Sequence, residues 1–92
     1  MNDAFKKFLS DNKIKLVSSK KIAEVVEDFS NNERNHKPAG NLLCKENDTW
    51  TACDDSCGSA YVENFKHLHI ALLYLTTDMD VNELYEFDKV GE

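Results

Sequence analysis

The chain has 92 residues and a formal net charge of −6, and 41% of its residues are hydrophobic and 30% charged. This length fits one domain, and the composition is that of a globular protein, which excludes a disordered chain. No apolar run approaches the ~18 residues that a membrane-spanning helix needs, and the first residues lack the apolar centre of a secretory signal. We therefore expect a cytoplasmic protein without membrane association.

The negative charge is concentrated in the second part of the chain. Residues 1–37 carry eight Lys/Arg and six Asp/Glu, whereas residues 38–92 carry three and eleven. Nucleic-acid binders usually present a basic surface, because neutralising phosphates supplies much of their affinity. We therefore predict a protein partner rather than a nucleic acid, and homodimer formation stays open.

The first 37 residues are predicted to be mostly helical. A first helix is predicted over Asp3–Asp11, where apolar residues recur at helical spacing. Lys13–Val17 alternates charged and apolar residues and is a candidate for a short extended segment at a sheet edge. Ser18 is a natural N-cap for a second helix, whose apolar residues form a stripe along one face. That stripe consists of Ile22, Val25, Val26 and Phe29.

A break near Pro38 separates this helical half from a half that begins with strands. The three predicted strands are Asn41–Lys45, Thr49–Cys53 and Ser59–Phe65. The last two form a hairpin whose turn is Asp54–Gly58, because Asp suits the start of a type I turn and glycine suits the positive φ that closes it.

Two further helices are predicted after the hairpin. The first runs over Lys66–Thr76, and the second begins at Asp80, which forms a capping-box pattern with Glu83. This order of elements indicates an α+β domain. We predict a small three-stranded antiparallel sheet, a meander, with two N-terminal and two C-terminal helices packed on one face. It forms a single domain over residues 1–92, with a helical half, 1–37, and a hairpin–helix half, 38–92.

Cysteine and histidine residues of the second half raise the question of a metal site. Zinc needs about four Cys or His ligands, and the candidates are Cys44, Cys53, Cys57 and His67. Their spacing is poor, because three residues separate Cys53 from Cys57, and His67 and His69 should diverge on a helix. We therefore predict no metal and no cofactor, and keep a zinc-stabilised module as an alternative.

No catalytic set is recognisable in the sequence. It contains no glycine-rich phosphate loop, no HExxH motif and no Ser/His/Asp pattern. Cys57 lies in the predicted turn, but a reactive thiolate needs a cationic setting, and Asp54 and Asp55 lie close by. We predict that the protein is not an enzyme.

The two N-terminal helices leave open a DNA-binding regulator. A helix-turn-helix joins its helices by a tight turn, often with a glycine, whereas five extended-looking residues lie between these two. The second helix is also not notably basic. This function therefore remains an alternative to protein binding.

The acidic C-terminal segment is the main candidate for a binding surface. Its carboxylates could dock on a basic partner or compete for a nucleic-acid-binding surface, although an acidic surface can also serve solubility alone. Two aromatic residues on neighbouring predicted strands would mark an interface if both are exposed. The predicted partner-binding residues are Asp78, Asp80, Glu83, Glu86, Asp88, Trp50 and Tyr61.

Residues 50–65 read WTACDDSCGSAYVENF, and a predicted helix ending in Tyr74 and Leu75 follows them. The stretch resembles a hairpin–helix pattern, W-x-A-x-D-N-S-x-G-x-A-x-V-E-x-F, of small accessory proteins of phages and conjugative elements. Asp55 stands where that pattern often has Asn. The resemblance covers residues 49–75 and implies a mobile-element accessory protein, but no activity. We therefore expect a non-enzymatic accessory protein that binds another protein, for example as an acidic inhibitor or regulator of host machinery.

Overall fold

A computed structural model of the chain describes residues 3–90. Within this range it contains four helices and a four-stranded mixed sheet, so the predicted α+β class is confirmed. In chain order the elements are α1 Asp3–Asp11, β1 Ile14–Leu16, α2 Ser19–Asn31, β2 Gly40–Glu46, β3 Thr49–Asp55, β4 Tyr61–Phe65, α3 Leu68–Thr76 and α4 Val81–Val90. None of the helices in residues 3–90 is both long and apolar enough to cross a lipid bilayer.

The sheet has the strand order β1-β2-β3-β4. Strands β2, β3 and β4 are antiparallel neighbours, but the prediction of three strands is wrong, because β1 joins as a fourth strand parallel to β2. β1 pairs with residues 41–43, and the N–H of Val17 donates to the carbonyl of Leu43 at 2.9 Å. Parallel neighbours need a crossover connection, and α2 supplies it.

Helices cover both faces of the sheet, so the prediction that all of them pack on one face is wrong. The core of one face, which α1, α3 and α4 cover, includes Leu43, Ala52 and Phe65. The core of the other face, which α2 covers, includes Leu42, Cys44 and Cys53. Successive side chains of a strand point to opposite faces, so three consecutive buried residues in β2 require a cover on each side.

The β3–β4 connection differs from the prediction at both ends, because β3 ends at Asp55 instead of Cys53 and β4 begins at Tyr61 instead of Ser59. β3 continues to Asp55, which pairs with Gly40 and is completely buried, so Asp55 is a strand residue and not a turn residue. The turn follows it. Asp54 Oδ1 accepts hydrogen bonds from the N–H and the hydroxyl of Ser56 at 3.2 and 2.7 Å. Gly58 has the positive φ predicted for it, +89°.

Helix α2 begins where the sequence predicts. The Oγ of Ser18 accepts the N–H of Lys21 at 3.2 Å, which satisfies one of the unpaired donors of the first turn. The helix ends at Asn31, and residues 32–39 lead from it to β2. This connecting segment carries His36 and contributes to a partly buried polar cluster.

Candidate functional site

A buried carboxylate closes the antiparallel hairpin of α3 and α4. Asp88 is 6% exposed and accepts the backbone N–H groups of Lys66 and His67 at 2.8 and 3.0 Å. Its Oδ1 also lies 3.0 Å from Nδ1 of His67. Burial opposes ionisation, but these hydrogen bonds outweigh it and lower the pKa of Asp88 below its ordinary 3.8. Asp88 therefore holds the hairpin together and does not belong to an exposed acidic face.

An apolar groove lies between these two helices. It has a volume of about 420 Å³. Phe87 and Val90 of α4 stay 54% and 83% exposed beside it, while Ile70 of α3 is buried. The residues that line this α3–α4 groove are His69, Ile70, Leu73, Met79, Phe87 and Val90. Its surface is thus almost wholly apolar and open to a partner's side chains.

Exposed carboxylates lie beside the α3–α4 groove. Glu83 and Glu86 are exposed and, at helical spacing, share the outward face of α4 with Phe87 and Val90. Asp78 and Asp80 are exposed and flank the groove residue Met79 in sequence. Asp80 also accepts the N–H of Asn82 at 2.7 Å and so caps α4. Four of the five predicted acids are therefore exposed and adjacent to groove residues, either in sequence or on the same helix face.

The two predicted aromatic residues do not form a common surface. Trp50 is half-buried against the core and has the Nζ of Lys45 5.6 Å from its ring centre, whereas Tyr61 is 60% exposed. Trp50 pairs with Phe65 and Tyr61 with Asp54, so they lie at opposite ends of the β3–β4 pair, about 13 Å apart along the strands. Neither residue lines the groove.

The candidate ligands of the zinc-stabilised alternative do not come together in the structure. Cys44 and Cys53 are buried between the sheet and α2, Cys57 is exposed, and His67 lies with Asp88 at the start of α3. Burial raises the pKa of Cys53 to about 11, which disfavours a metal-binding thiolate. Among residues 3–90 no three or more His, Cys, Asp or Glu residues come together in a group able to hold a metal ion.

His67 and His69 do not diverge as predicted. His67 precedes α3 with extended backbone angles, φ −112° and ψ 132°, instead of lying within the helix. The helical rotation therefore does not separate the two residues, and their ring centres lie 5.7 Å apart. His69 faces the groove, whereas His67 is held by Asp88.

Sequence reasoning missed a second polar cluster, the His36 clamp, formed by Asp28, His36 and Asp55. The Nδ1 of His36 lies 2.5 Å from Oδ2 of Asp28, and its Nε2 lies 2.7 Å from Oδ2 of Asp55. The His36 side chain is only 3% exposed and that of Asp55 is fully buried. The same Asp55 oxygen accepts the N–H of Ala39 at 2.9 Å. The clamp joins α2, segment 32–39 and β3.

Charge pairing sets the protonation of the His36 clamp. The hydrogen bond to Asp28, followed by that to Asp55, raises the pKa of His36 above its ordinary 6.5. The hydrogen bond from His36 lowers the pKa of Asp28 below 3.8. A shallow cavity of about 210 Å³ lies beside the clamp, with Lys21, Glu24 and Lys37 among its lining residues. Both ring nitrogens already face carboxylates, so neither is available to a substrate.

The N-terminal helices do not form a helix-turn-helix. α1 contributes Leu9 to the core on one face of the sheet, and α2 contributes Ile22 to the core on the other. β1 lies between them in sequence and pairs with β2, so the sheet separates the two helices. α2 therefore does not lie beside α1 as the recognition helix of a helix-turn-helix would.

Comparisons of the chain with models of known protein families, with curated protein sequences and with solved structures find no match. Function must therefore be inferred from the surfaces and polar clusters themselves. The α3–α4 groove is the one that combines solvent access, apolar lining and flanking charge among the residues described, 3–90.

Proposed function

We propose that this protein is a non-enzymatic binding module and that it binds a partner protein through the α3–α4 groove. The observation that carries the proposal is the exposure of Phe87 and Val90, 54% and 83%, beside a groove of about 420 Å³. Single exposed apolar residues are common on protein surfaces, but a contiguous apolar surface rimmed by polar residues is typical of an interaction site.

The polar clusters support binding rather than catalysis. The Asp88 carboxylate accepts two backbone N–H groups and faces the ring of His67, and the His36 ring lies between two carboxylates. A general base needs a free acceptor within reach of a substrate proton. The one oxygen of these groups without a hydrogen-bond partner, Oδ1 of Asp55, is completely buried and therefore out of reach of a substrate. The other contacts fix helices and segments in place.

The resemblance of residues 49–75 to mobile-element proteins supports a proposal about the class of partner. Accessory proteins of phages and conjugative elements act in a host cell, so we propose that the partner is a protein of the host machinery, which the module inhibits or regulates. Exposed carboxylates beside the groove, including Glu83 and Glu86, support the acidic character expected of such a regulator. The zinc-stabilised and DNA-binding alternatives have no comparable supporting feature.

Affinity capture with matched charge variants tests the proposal. Immobilised wild-type protein, a Glu83→Lys/Glu86→Lys variant and a Glu27→Lys/Glu33→Lys variant are incubated with lysate of the source cells. Both variants change the net charge equally, and all four positions are exposed, but Glu27 and Glu33 lie far from the groove, in α2 and the segment after it. We expect the groove variant alone to lose the captured protein. Equal capture by all three proteins would contradict the proposal.

A further inference from the structure

We infer that the α3–α4 groove receives an amphipathic helix of the partner, whose apolar stripe is flanked by lysine or arginine residues. The inference rests on the proposed function and names the chemistry of the segment that binds. It follows from the lining of the groove, its length and the charges beside it.

The lining calls for apolar side chains. Among the groove residues only His69 is polar, while Ile70, Leu73, Met79, Phe87 and Val90 are hydrophobic. Sites for small polar molecules usually place several convergent polar groups around the ligand. This groove offers no such set, so apolar side chains of a macromolecule match it better than a polar metabolite does.

The shape calls for a helix. α3 and α4 have 9 and 10 residues and lie side by side. The lining residues cover about one turn of each helix, from His69 to Leu73 in α3 and from Phe87 to Val90 in α4, which is about 5–6 Å along the axis. Helix-in-groove recognition uses apolar anchors at i, i+3 or i+4, and i+7, and a surface of this length accommodates a pair of them at i and i+3 or i+4.

The flanking charges call for a basic segment. Glu83 and Glu86 share the outward face of α4 with Phe87 and Val90, so residues beside the apolar stripe of a docked helix would meet carboxylates. Lys89 is the one basic residue between positions 78 and 90. Its Nζ lies 3.6 Å from Oε1 of Glu86, but both side chains are strongly exposed, so this pair neutralises little.

The same charges argue against a second copy of the chain at this surface. In a two-fold symmetric dimer each copy presents the same patch to the other. Both sides of the interface would then carry the same excess of carboxylates, Glu83 and Glu86 included, and like charges brought together at an interface oppose association. A basic partner turns this repulsion into attraction.

Fluorescence anisotropy with synthetic peptides tests the inference. The probe is a labelled peptide of about 14 residues, four helical turns, with a leucine stripe flanked by lysines. One matched peptide replaces the lysines with glutamates, and another keeps the lysines but replaces the leucines with serines. We expect the probe to bind at least about tenfold more tightly than either, and to weaken as the salt concentration rises from about 50 to about 300 mM.

Protein variants locate the binding. Phe87→Ser keeps the charge of the groove surface, and Phe87 is exposed enough for the fold to tolerate the change. We expect Phe87→Ser and Glu83→Lys/Glu86→Lys each to lose about tenfold or more in affinity, and Glu27→Lys/Glu33→Lys to stay within about twofold of wild type. A Glu-flanked or Ser-substituted peptide that binds as well as the probe would overturn the inference. So would concentration-dependent self-association in light scattering that Phe87→Ser abolishes.

Lysate capture tests the proposed function and peptide binding tests the partner chemistry, so a failure of one can be told from a failure of the other. If lysate capture depends on the groove while the basic peptide shows no preference, the inferred partner chemistry is wrong and protein binding at the groove stands. If capture does not depend on the groove, the proposed function itself is wrong.

Discussion

The Nε2 of His36 lies 2.7 Å from Oδ2 of Asp55, at the buried end of β3. Its Nδ1 faces Asp28 of α2, so one ring connects the sheet to the helix that crosses it. Protonated imidazole can donate to both carboxylates at once, whereas neutral imidazole can donate only to one. The stability of the fold should therefore depend on the proton that His36 carries.

The first prediction concerns the pH dependence of stability. The pKa of His36 is raised above 6.5, so its protonated form stabilises the fold below that value, and the contribution is lost as the pH rises through the folded-state pKa. The free energy of unfolding, measured in urea by Trp50 fluorescence, should be higher at about pH 6 than at about pH 9. In His36→Gln this difference should shrink.

The control for this prediction is His69→Gln, which changes an exposed histidine outside the clamp. Its pH profile should follow that of wild type. Other charged groups near the clamp, Lys21, Glu24 and Lys37, stay in place in both variants. If His36→Gln keeps the full difference between the two pH values, the charged clamp does not act as the structure indicates.

The second prediction is that Asp55→Asn destabilises the protein. Asp55 is completely buried and one of its oxygens accepts two hydrogen bonds. Removing the buried charge should lower the free energy of unfolding by about 1–3 kcal/mol, the usual cost of weakening a buried charge-assisted hydrogen bond. A double-mutant cycle with His36→Gln should show non-additive losses, because the two residues are in contact. Additive losses would mean that the contact contributes nothing.

The third prediction concerns Asp88 and the start of α3. The Asp88 carboxylate accepts hydrogen bonds from two backbone N–H groups, one at each oxygen. In Asp88→Asn the amide NH2 group replaces one of these oxygens, so two donors would face each other. We expect a loss of about 1–3 kcal/mol in the free energy of unfolding, measured in urea. Glu86→Gln, an exposed change two residues away on the outward face of α4, should stay within about 0.5 kcal/mol of wild type. Equal stability of the two variants would contradict the structural role of Asp88.

The lowered pKa of Asp88 adds a test in acid. A carboxyl whose pKa is lowered on folding stabilises above its unfolded value, and this contribution is lost as the pH falls through the folded-state pKa. Wild type should therefore lose stability below about pH 4, and Asp88→Asn should lose less over the same range. Parallel acid profiles of the two proteins would count against this assignment.

The fourth prediction separates the two faces of α4. Leu84 is completely buried in the core, whereas Val90 is 83% exposed beside the groove. Leu84→Ala should cost about 2–5 kcal/mol of stability because it leaves a cavity. Val90→Ala should cost less than about 0.5 kcal/mol in the same thermal or urea experiment. A large loss in Val90→Ala would show that this residue packs against the fold and is not available to a partner.

Local patterns predicted most of the elements, and long-range pairing explains the differences. The Ser18 cap, the hairpin and its glycine follow from neighbours in sequence. The sequence predicts Lys13–Val17 as an extended segment at a sheet edge, and β1 is an edge strand, but nothing within five residues shows which strand it pairs with. Consecutive Leu42 and Leu43 carried the signal that both faces of the sheet are covered, but a short apolar run does not distinguish a strand buried on both sides from other buried segments.

The candidate site was predicted in part. Charge and capping patterns identified the acids of α4, but whether each faces solvent depends on the rotation of the helix, which puts Asp88 inside and Glu86 outside. The His36 clamp joins residues that are 8 and 19 positions from His36. No local motif links them, and a sequence pattern that places Asp55 in a turn gives no sign that its carboxylate is buried and needs a partner.

Photo-crosslinking at position 87 tests the central claim, binding of a partner protein at the α3–α4 groove, most directly. A photoreactive phenylalanine analogue replaces Phe87 in one protein and Leu16 in another, since both side chains are exposed and Leu16 lies on the edge strand β1. After illumination in the source cells, we expect a discrete crosslinked protein with the analogue at position 87 and none at position 16. The same crosslinks at both positions, or none at position 87, would contradict the claim.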